Sequence, residues 1–284
     1  MAHLKIKEIE CKSAIGKCDF PGGGFAINPY VGCAHACIYC YSRFIKRFTS
    51  HQEPWGSFVD VRINIAEVLR KQMCSPKYKG QVIYIGTVTD PYQPLEAKYK
   101  LTRKILEVLA GYDNPVVIMT KSALVLRDLD LLRKLKRPEV CFTVATLNEK
   151  WKKLTEPYSS TVKQRLDVAK KLVSCGIRVE AMMGPFWPFF TDAEALFREF
   201  KKAGIKKVFT ESVNTIGGNY TGVEKILRKN YPKLLKPMAE ILFDPKRFYD
   251  FYNKEKKRVE GLSRKYHLAV TIYFDRGHAA KSKL

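Results

Sequence analysis

Between residues 81 and 212, short β-branched runs alternate with stretches of helical period, and few folds accommodate such an alternation. The runs at 81–87 (QVIYIGT), 115–120 (PVVIMT), 139–146 (EVCFTVAT), 177–183 (IRVEAMM) and 206–212 (KKVFTES) read as strands, and 25–28 begins the set. The stretches at 63–73, 101–110, 126–135, 162–173 and 193–202 carry apolar residues three and four apart, as helices covering a sheet require. In 162–173, for example, Val162, Leu166, Ala169, Leu172 and Val173 form one stripe while Lys163, Gln164, Asp167, Lys170 and Lys171 face water, and Gly176 ends the helix. Six strand–helix units predict an α/β fold, a partial (β/α)6 TIM-like barrel at 25–215. Residues 1–24 form an N-terminal extension. Residues 216–284, helical and basic to about 266 and strand-like at 267–274, form a C-terminal extension that caps the barrel. No internal repeat or low-complexity linker divides the chain.

Just after the first strand stand Cys33, Cys37 and Cys40, in the run Gly32-Cys33-Ala34-His35-Ala36-Cys37-Ile38-Tyr39-Cys40-Tyr41. The spacing is one thiolate short of a closed four-cysteine site. A [4Fe–4S] cube held by three thiolates leaves one iron open. That iron can chelate the amino and carboxylate groups of S-adenosylmethionine (SAM) and pass an electron to its sulfonium, giving a 5′-deoxyadenosyl radical. A structural zinc site completed by His35 or a distant cysteine is the competing reading. Zinc sites usually come as two paired motifs, and no second pair follows here.

Reactive groups of parallel α/β barrels gather at the carboxyl ends of strands. Those ends read Gly86-Thr87-Val88-Thr89-Asp90-Pro91-Tyr92-Gln93-Pro94, then Thr120-Lys121-Ser122, then Thr143 and Thr146. The cysteine spacing, with Tyr39 before the third cysteine, resembles the signature of the radical SAM superfamily. The phrases Asn28-Pro29-Tyr30-Val31-Gly32-Cys33, 86–94 and 120–128 (TKSALVLRD) resemble its spore photoproduct lyase-related, or DNA repair photolyase-like, branch over residues 10–215. The resemblance implies that Cys33, Cys37 and Cys40 bind the cluster and that Tyr39 leans on the adenine of SAM. It further implies that Thr87, Thr89 and Asp90 lie against the methionine part, that Lys121 meets the carboxylate, and that Thr143 and Arg165 stand near ribose and carboxylate. Each residue also has an ordinary role open to it: Asp90-Pro91 as a turn, Lys121 as a solvated lysine, Thr143 as a strand former.

Cys141 shares a strand face with Thr143, which makes it a candidate hydrogen donor to a radical, against the plainer role of a buried thiol. Cys74 and Cys175 read as small buried hydrophobes; Cys11 and Cys18 flank a loop near the motif and their role stays open, since two ligands without a partner pair argue against a second metal. Glu180 and Glu211 either orient ligand or pair with a lysine. Gly184-Pro185-Phe186-Trp187-Pro188-Phe189-Phe190 places four aromatic rings at the barrel mouth, to stack on bases or to pack beneath the tail.

The chain has 51 Lys and Arg against 28 Asp and Glu in 284 residues, a formal charge of +23, and such a field favours a polyanionic partner. Nucleic acid is therefore the expected partner, together with an electron donor such as ferredoxin or flavodoxin; a lysine-rich solvated surface is the competing reading. The free cysteines and the lack of a long apolar N-terminal stretch predict a cytoplasmic, non-membrane protein. The expected activity is reductive SAM cleavage directed at a nucleic-acid base, as photoproduct lyase-like repair or base modification. Radical modification of a protein or metabolite, and a non-catalytic zinc-containing nucleic-acid-binding protein, are the alternatives.

Overall fold

A computed structural model describes residues 4–20 and 23–276. Its main sheet has eight strands. Seven run parallel in the order β3 (Phe25–Ile27), β6 (Ile83–Ile85), β7 (Pro115–Thr120), β8 (Arg137–Thr143), β9 (Arg178–Met182), β10 (Lys207–Glu211) and β11 (Ala269–Tyr273). β2 (Ile15–Lys17) pairs antiparallel with β3. β2 and β11 are the two edges, so the barrel stays open. A second sheet, not anticipated from sequence, sets β5 (Phe58–Arg62) between β1 (Lys5–Ile9) and β4 (Tyr30–Val31).

All six expected strands are present. The five expected helical stretches correspond to α1 (Ile65–Met73), α3 (Leu101–Leu109), α4 (Leu129–Leu132), α6 (Val162–Ser174) and α7 (Ala193–Lys202); α2 (Glu96–Tyr99) and α5 (Glu149–Thr155) complete this part of the chain. The stretch at 126–135 is mostly not α-helix. Asp128, buried and bonded to Tyr92, Arg103 and Arg127, holds a 3-10 turn over Ala123–Asp128, which leaves only one α-turn behind it.

Alternation along the strands separates two faces. Val116 and Ile118, Val140 and Phe142, Val179 and Ala181, and Val208 are buried in the core beneath the helices. Met119, Cys141, Glu180 and Lys207 align across β7 to β10 on the other, concave face.

The tail consists of α8 (Asn219–Asn230), α9 (Pro232–Phe243), α10 (Pro245–Tyr266) and β11. Rather than only capping, it adds a seventh parallel strand beside β10, with α10 packed on α7. α8 does reach the cysteine loop: a Cβ added at Gly222 would lie 3.3 Å from Ile38 Cβ. No helix among the described residues is long and apolar enough to cross a membrane.

The turn after β6 depends on one glycine. Gly86 has φ +92°, and a Cβ there would lie 2.3 Å from Pro91 Cδ and 2.9 Å from the Met119 carbonyl oxygen. Gly80, with φ +70°, has nothing within 4 Å of an added Cβ. Gly86→Ala should therefore cost about 2–5 kcal/mol, from left-handed strain plus overpacking, and Gly80→Ala only the strain, about 1–2 kcal/mol. Urea unfolding of the two variants checks the difference.

Candidate cluster and cofactor site

The three motif cysteines lie on a loop between β4 and a 3-10 helix, Tyr41–Phe48, and other parts of the chain hold that loop through its backbone. Ala34 N donates to Gln93 Oε1 (2.8 Å), and the Thr89 hydroxyl donates to the Gly32 carbonyl (2.6 Å). Ile38 N donates to the Thr155 carbonyl (3.0 Å) at the end of α5. Gly32, φ +85°, passes so close to β5 that a Cβ would sit 2.5 Å from the Phe58 carbonyl oxygen. Cys33 and Cys37 are buried and Cys40 is half-buried.

Burial, reinforced by the charges of Asp90 and Cys40, pushes the Cys33 thiol up to about 12, and burial raises Cys37 well above the ordinary thiol range. Thiolates there need a bound cation to exist at neutral pH, which is how a cluster-ligating set behaves. Among the described residues no three His, Cys, Asp or Glu side chains form a group that could hold a single metal ion. Three buried or half-buried thiols on one loop match in chemistry the donor set of a three-cysteine cluster. Cys11 and Cys18, both half-buried, belong to no group among the described residues that could hold a metal ion.

The strand ends close over this loop. Asp90 Oδ1 accepts from Tyr92 N (2.9 Å) and Thr120 Oγ1 (2.7 Å), and Oδ2 accepts from Lys121 N (2.7 Å). His35 Nδ1 lies 3.2 Å from Oδ2, off hydrogen-bond alignment. Burial opposes the Asp90 charge, but His35 and Lys121 outweigh it and bring the carboxyl to about 2. The Thr87 hydroxyl accepts from Asn28 Nδ2 (3.1 Å), and its carbonyl accepts from the Tyr41 hydroxyl. Thr89 and Asp90 thus spend their polar atoms on the loop and strand ends. Lys121 extends toward the cysteines, with Nζ 5.9 Å from the centre of the Tyr39 ring. Burial disfavours its charge, yet Cys37, Glu156, Cys40 and Asp90 hold it above the usual lysine range.

Glu156, which sequence reasoning missed, is the hub of the opposite wall. It accepts from the Tyr39 hydroxyl through Oε1 and from Arg165 Nη2 through Oε2. Arg165, 1% exposed, also donates from Nη2 to Ser159 Oγ (2.6 Å), from Nη1 to the Thr143 carbonyl (2.8 Å) and from Nε to the Ser160 carbonyl (3.0 Å). Arg165 and Thr143 are therefore joined to one another, and most of the guanidinium is committed within the protein. A lone Glu before Pro157, after a short lysine-rich helix, carries no local mark of this role.

Farther down the concave face, Cys141 is buried, and burial, aided by Glu180 and Glu139, raises its thiol above the ordinary range. Glu180 Oε1 is 3.3 Å from Lys207 Nζ, so the lysine pairing allowed by the sequence is present, and Glu139 Oε2 is 3.3 Å from Arg178 Nη1. Burial, then the Glu180 side chain, pushes Glu139 to about 7.

In the aromatic segment, packing is the alternative present for three of the four rings. Phe186, Trp187 and Phe190 are buried and only Phe189 is exposed. Trp187 meets Tyr39 and Trp151 edge-on, each at 5.4 Å; Phe190 stacks on Trp151 at 3.7 Å; Phe186 packs on Phe251, Tyr252 and Phe274 of the tail. The aromatic–aromatic contacts of the core win these rings, and Trp187 is not available as a stacking platform.

A family model described as "Radical SAM superfamily" matches residues 27–196. An uncharacterized protein of Methanocaldococcus jannaschii is 36% identical over 200 residues, 70% of this chain and 74% of that one. An uncharacterized protein of Acidianus two-tailed virus is 33% identical over 246 residues, 81% of this chain and 80% of that one. A spore photoproduct lyase variant with bound AdoMet and dinucleoside spore photoproduct superposes with a TM-score of 0.68 at 15% identity, covering 95% of this chain and 81% of that one.

The Glu156 network is measurable in the cluster-free protein. Burial opposes ionisation of Glu156, but Arg165 and Lys121 bring it from an ordinary 4.5 to about 2. A carboxyl depressed on folding adds stability above its unfolded value and loses it as pH falls through its folded value. About 3 kcal/mol of stability should therefore disappear between pH 4.5 and 2. Glu156→Gln should remove that pH dependence and cost about 3–5 kcal/mol at neutral pH by leaving Arg165 unpaired. Chemical denaturation across pH tests both.

Proposed function

The chain belongs to the radical SAM superfamily, and from that premise we propose that it acts on a base of a nucleic acid, as a photoproduct lyase-like repair enzyme or a base modifier. Membership carries the cofactors, a [4Fe–4S] cluster and SAM, and sets aside the zinc reading. Cys33, Cys37 and Cys40 would hold the cluster, which with SAM would supply hydrogen-abstracting radical chemistry.

The protein's own work in this proposal is electrostatic and positional. Lys121 neutralises the SAM carboxylate at a low-dielectric site, where a charge-assisted contact counts for more than in water. Tyr39, pinned through its hydroxyl to Glu156 and packed perpendicular to Trp187, is a fixed ring for the adenine to lean on. Arg165 fixes the Thr143 carbonyl and through it the end of β8. Cys141 remains a candidate hydrogen donor below them.

The formal charge of +23 is the observation that carries the substrate class. Supporting it, the superposed spore photoproduct lyase holds a dinucleoside photoproduct. An electron donor of the ferredoxin or flavodoxin kind completes the scheme.

Each of Cys33→Ala, Cys37→Ala and Cys40→Ala should abolish iron loading and SAM cleavage together. Lys121→Ala should keep its iron but bind SAM about ten- to a hundredfold more weakly, as expected for one lost charge-assisted contact. Unchanged SAM affinity would return Lys121 to a structural role.

Single-stranded or locally opened nucleic acid should bind more tightly than intact duplex, because a base must leave the stack to enter the barrel, and binding should weaken steeply with salt. No binding to any nucleic acid at about 0.15 M salt would sink the substrate assignment and favour a protein or metabolite.

A further inference from the structure

Outside the barrel wall, between the segment that follows β8, the loop after β9 and helix α10, lies a cleft of about 530 Å³ that the scheme above does not use. Phe186 and Trp187 are among its lining residues. Trp187 also meets the Tyr39 ring at 5.4 Å, so one residue touches both this cleft and the cysteine loop.

Three features mark the cleft as built for a ligand. Phe189, on its lining, is 52% exposed and is held at φ +68°, a left-handed conformation that strains a bulky residue. The fold thus holds a large ring in water at a conformational cost. On the facing wall Glu255 is 9% exposed, and its Oε2 has no hydrogen-bond partner. Arg258, one helical turn on, brings Nη1 to 3.6 Å from that oxygen and Nη2 to 3.8 Å from Asp192 Oδ1, in ion-pair but not hydrogen-bond range. A buried acceptor and a half-exposed donor therefore stand side by side in a cleft with aromatic lining.

We propose that this cleft binds the nucleobase next to the reacting one. This rests on the nucleic-acid reading above and adds to it a second base subsite. The base stacks on Phe189, its exocyclic amino group or ring N–H donates to Glu255, and its neighbouring ring nitrogen or carbonyl accepts from Arg258. A simple cation, such as a lysine or arginine side chain, would answer Glu255 alone and leave the Arg258 donors unused. A base edge carries both a donor and an acceptor and uses both groups.

The test is binding of single-stranded oligo-dA, oligo-dC and oligo-dT, about six nucleotides long, to the cluster-loaded protein. All three should bind, since adenine and cytosine present an exocyclic amine, and thymine its ring N3–H, beside an acceptor. Glu255→Gln should cost roughly tenfold for each. Phe189→Ala should weaken all three roughly tenfold with the salt slope unchanged, since stacking releases few counterions, and Phe189→Trp should restore affinity. The Phe189 ring is largely in water, so these variants keep the fold, which thermal melts verify.

Wild-type protein that binds the oligomers while every variant matches it would overturn the cleft assignment and leave the substrate class intact. Wild-type protein that binds none of them would bring down the substrate reading, and this one with it. Saturable binding of an arginine-rich peptide, abolished by Glu255→Gln, would assign the cleft to a cationic side chain and overturn the proposal.

Discussion

The buried carboxylate of Asp90 joins three pieces of chain that frame the candidate cofactor site. It bonds its own turn at Tyr92 N, the end of β7 at Thr120 Oγ1, and the backbone of Lys121, and it faces His35 on the cysteine loop. A buried charge persists only when several hydrogen bonds and opposite charges compensate its lost hydration. Asp90 has both, and the groups that compensate it are those that shape the site. Because it grips the backbone of Lys121, it also decides where that ammonium points.

A second carboxylate repeats the device across the lumen. Glu156 holds Tyr39 and Arg165, and Arg165 in turn holds the end of β8. The cysteine loop lies between these two anions, with Lys121 near both. This alternation of charge suits a pocket that must accept a sulfonium with a carboxylate at its far end, beside a cluster. The aromatic wall of Trp187, Trp151 and Phe190 then shields the site, and Phe189 is the member of that segment left facing water.

Much of the frame was legible because it rests on local rules. Apolar periodicity placed six strands and four of the five expected helices, failing at 126–135, and the three-cysteine spacing placed the loop. What escaped reading was what depends on distant chain. Glu156 sits 117 residues from the tyrosine it holds. Thr89, on a strand-end argument, and Arg165, on the family resemblance, look like ligand residues, yet their donors go to Gly32, Ser159, Ser160, Thr143 and Glu156. The aromatic segment after β9 could not be divided into buried and exposed rings without the tail packed above it. The small sheet pairs β5 with β1 across about fifty residues and with β4 across about thirty, which hydrophobic periodicity does not encode.

The central claim is that radical chemistry started at this loop is delivered to a nucleic acid. Its most direct measurement is isotope transfer: anaerobically reconstituted, reduced protein is given SAM and single-stranded nucleic acid deuterated at carbon, and the 5′-deoxyadenosine formed, or the SAM recovered, is examined by mass spectrometry. The account predicts deuterium in that pool only when the labelled strand is present. SAM cleavage that proceeds at the same rate without nucleic acid, and leaves the pool unlabelled with every strand tried, would contradict it.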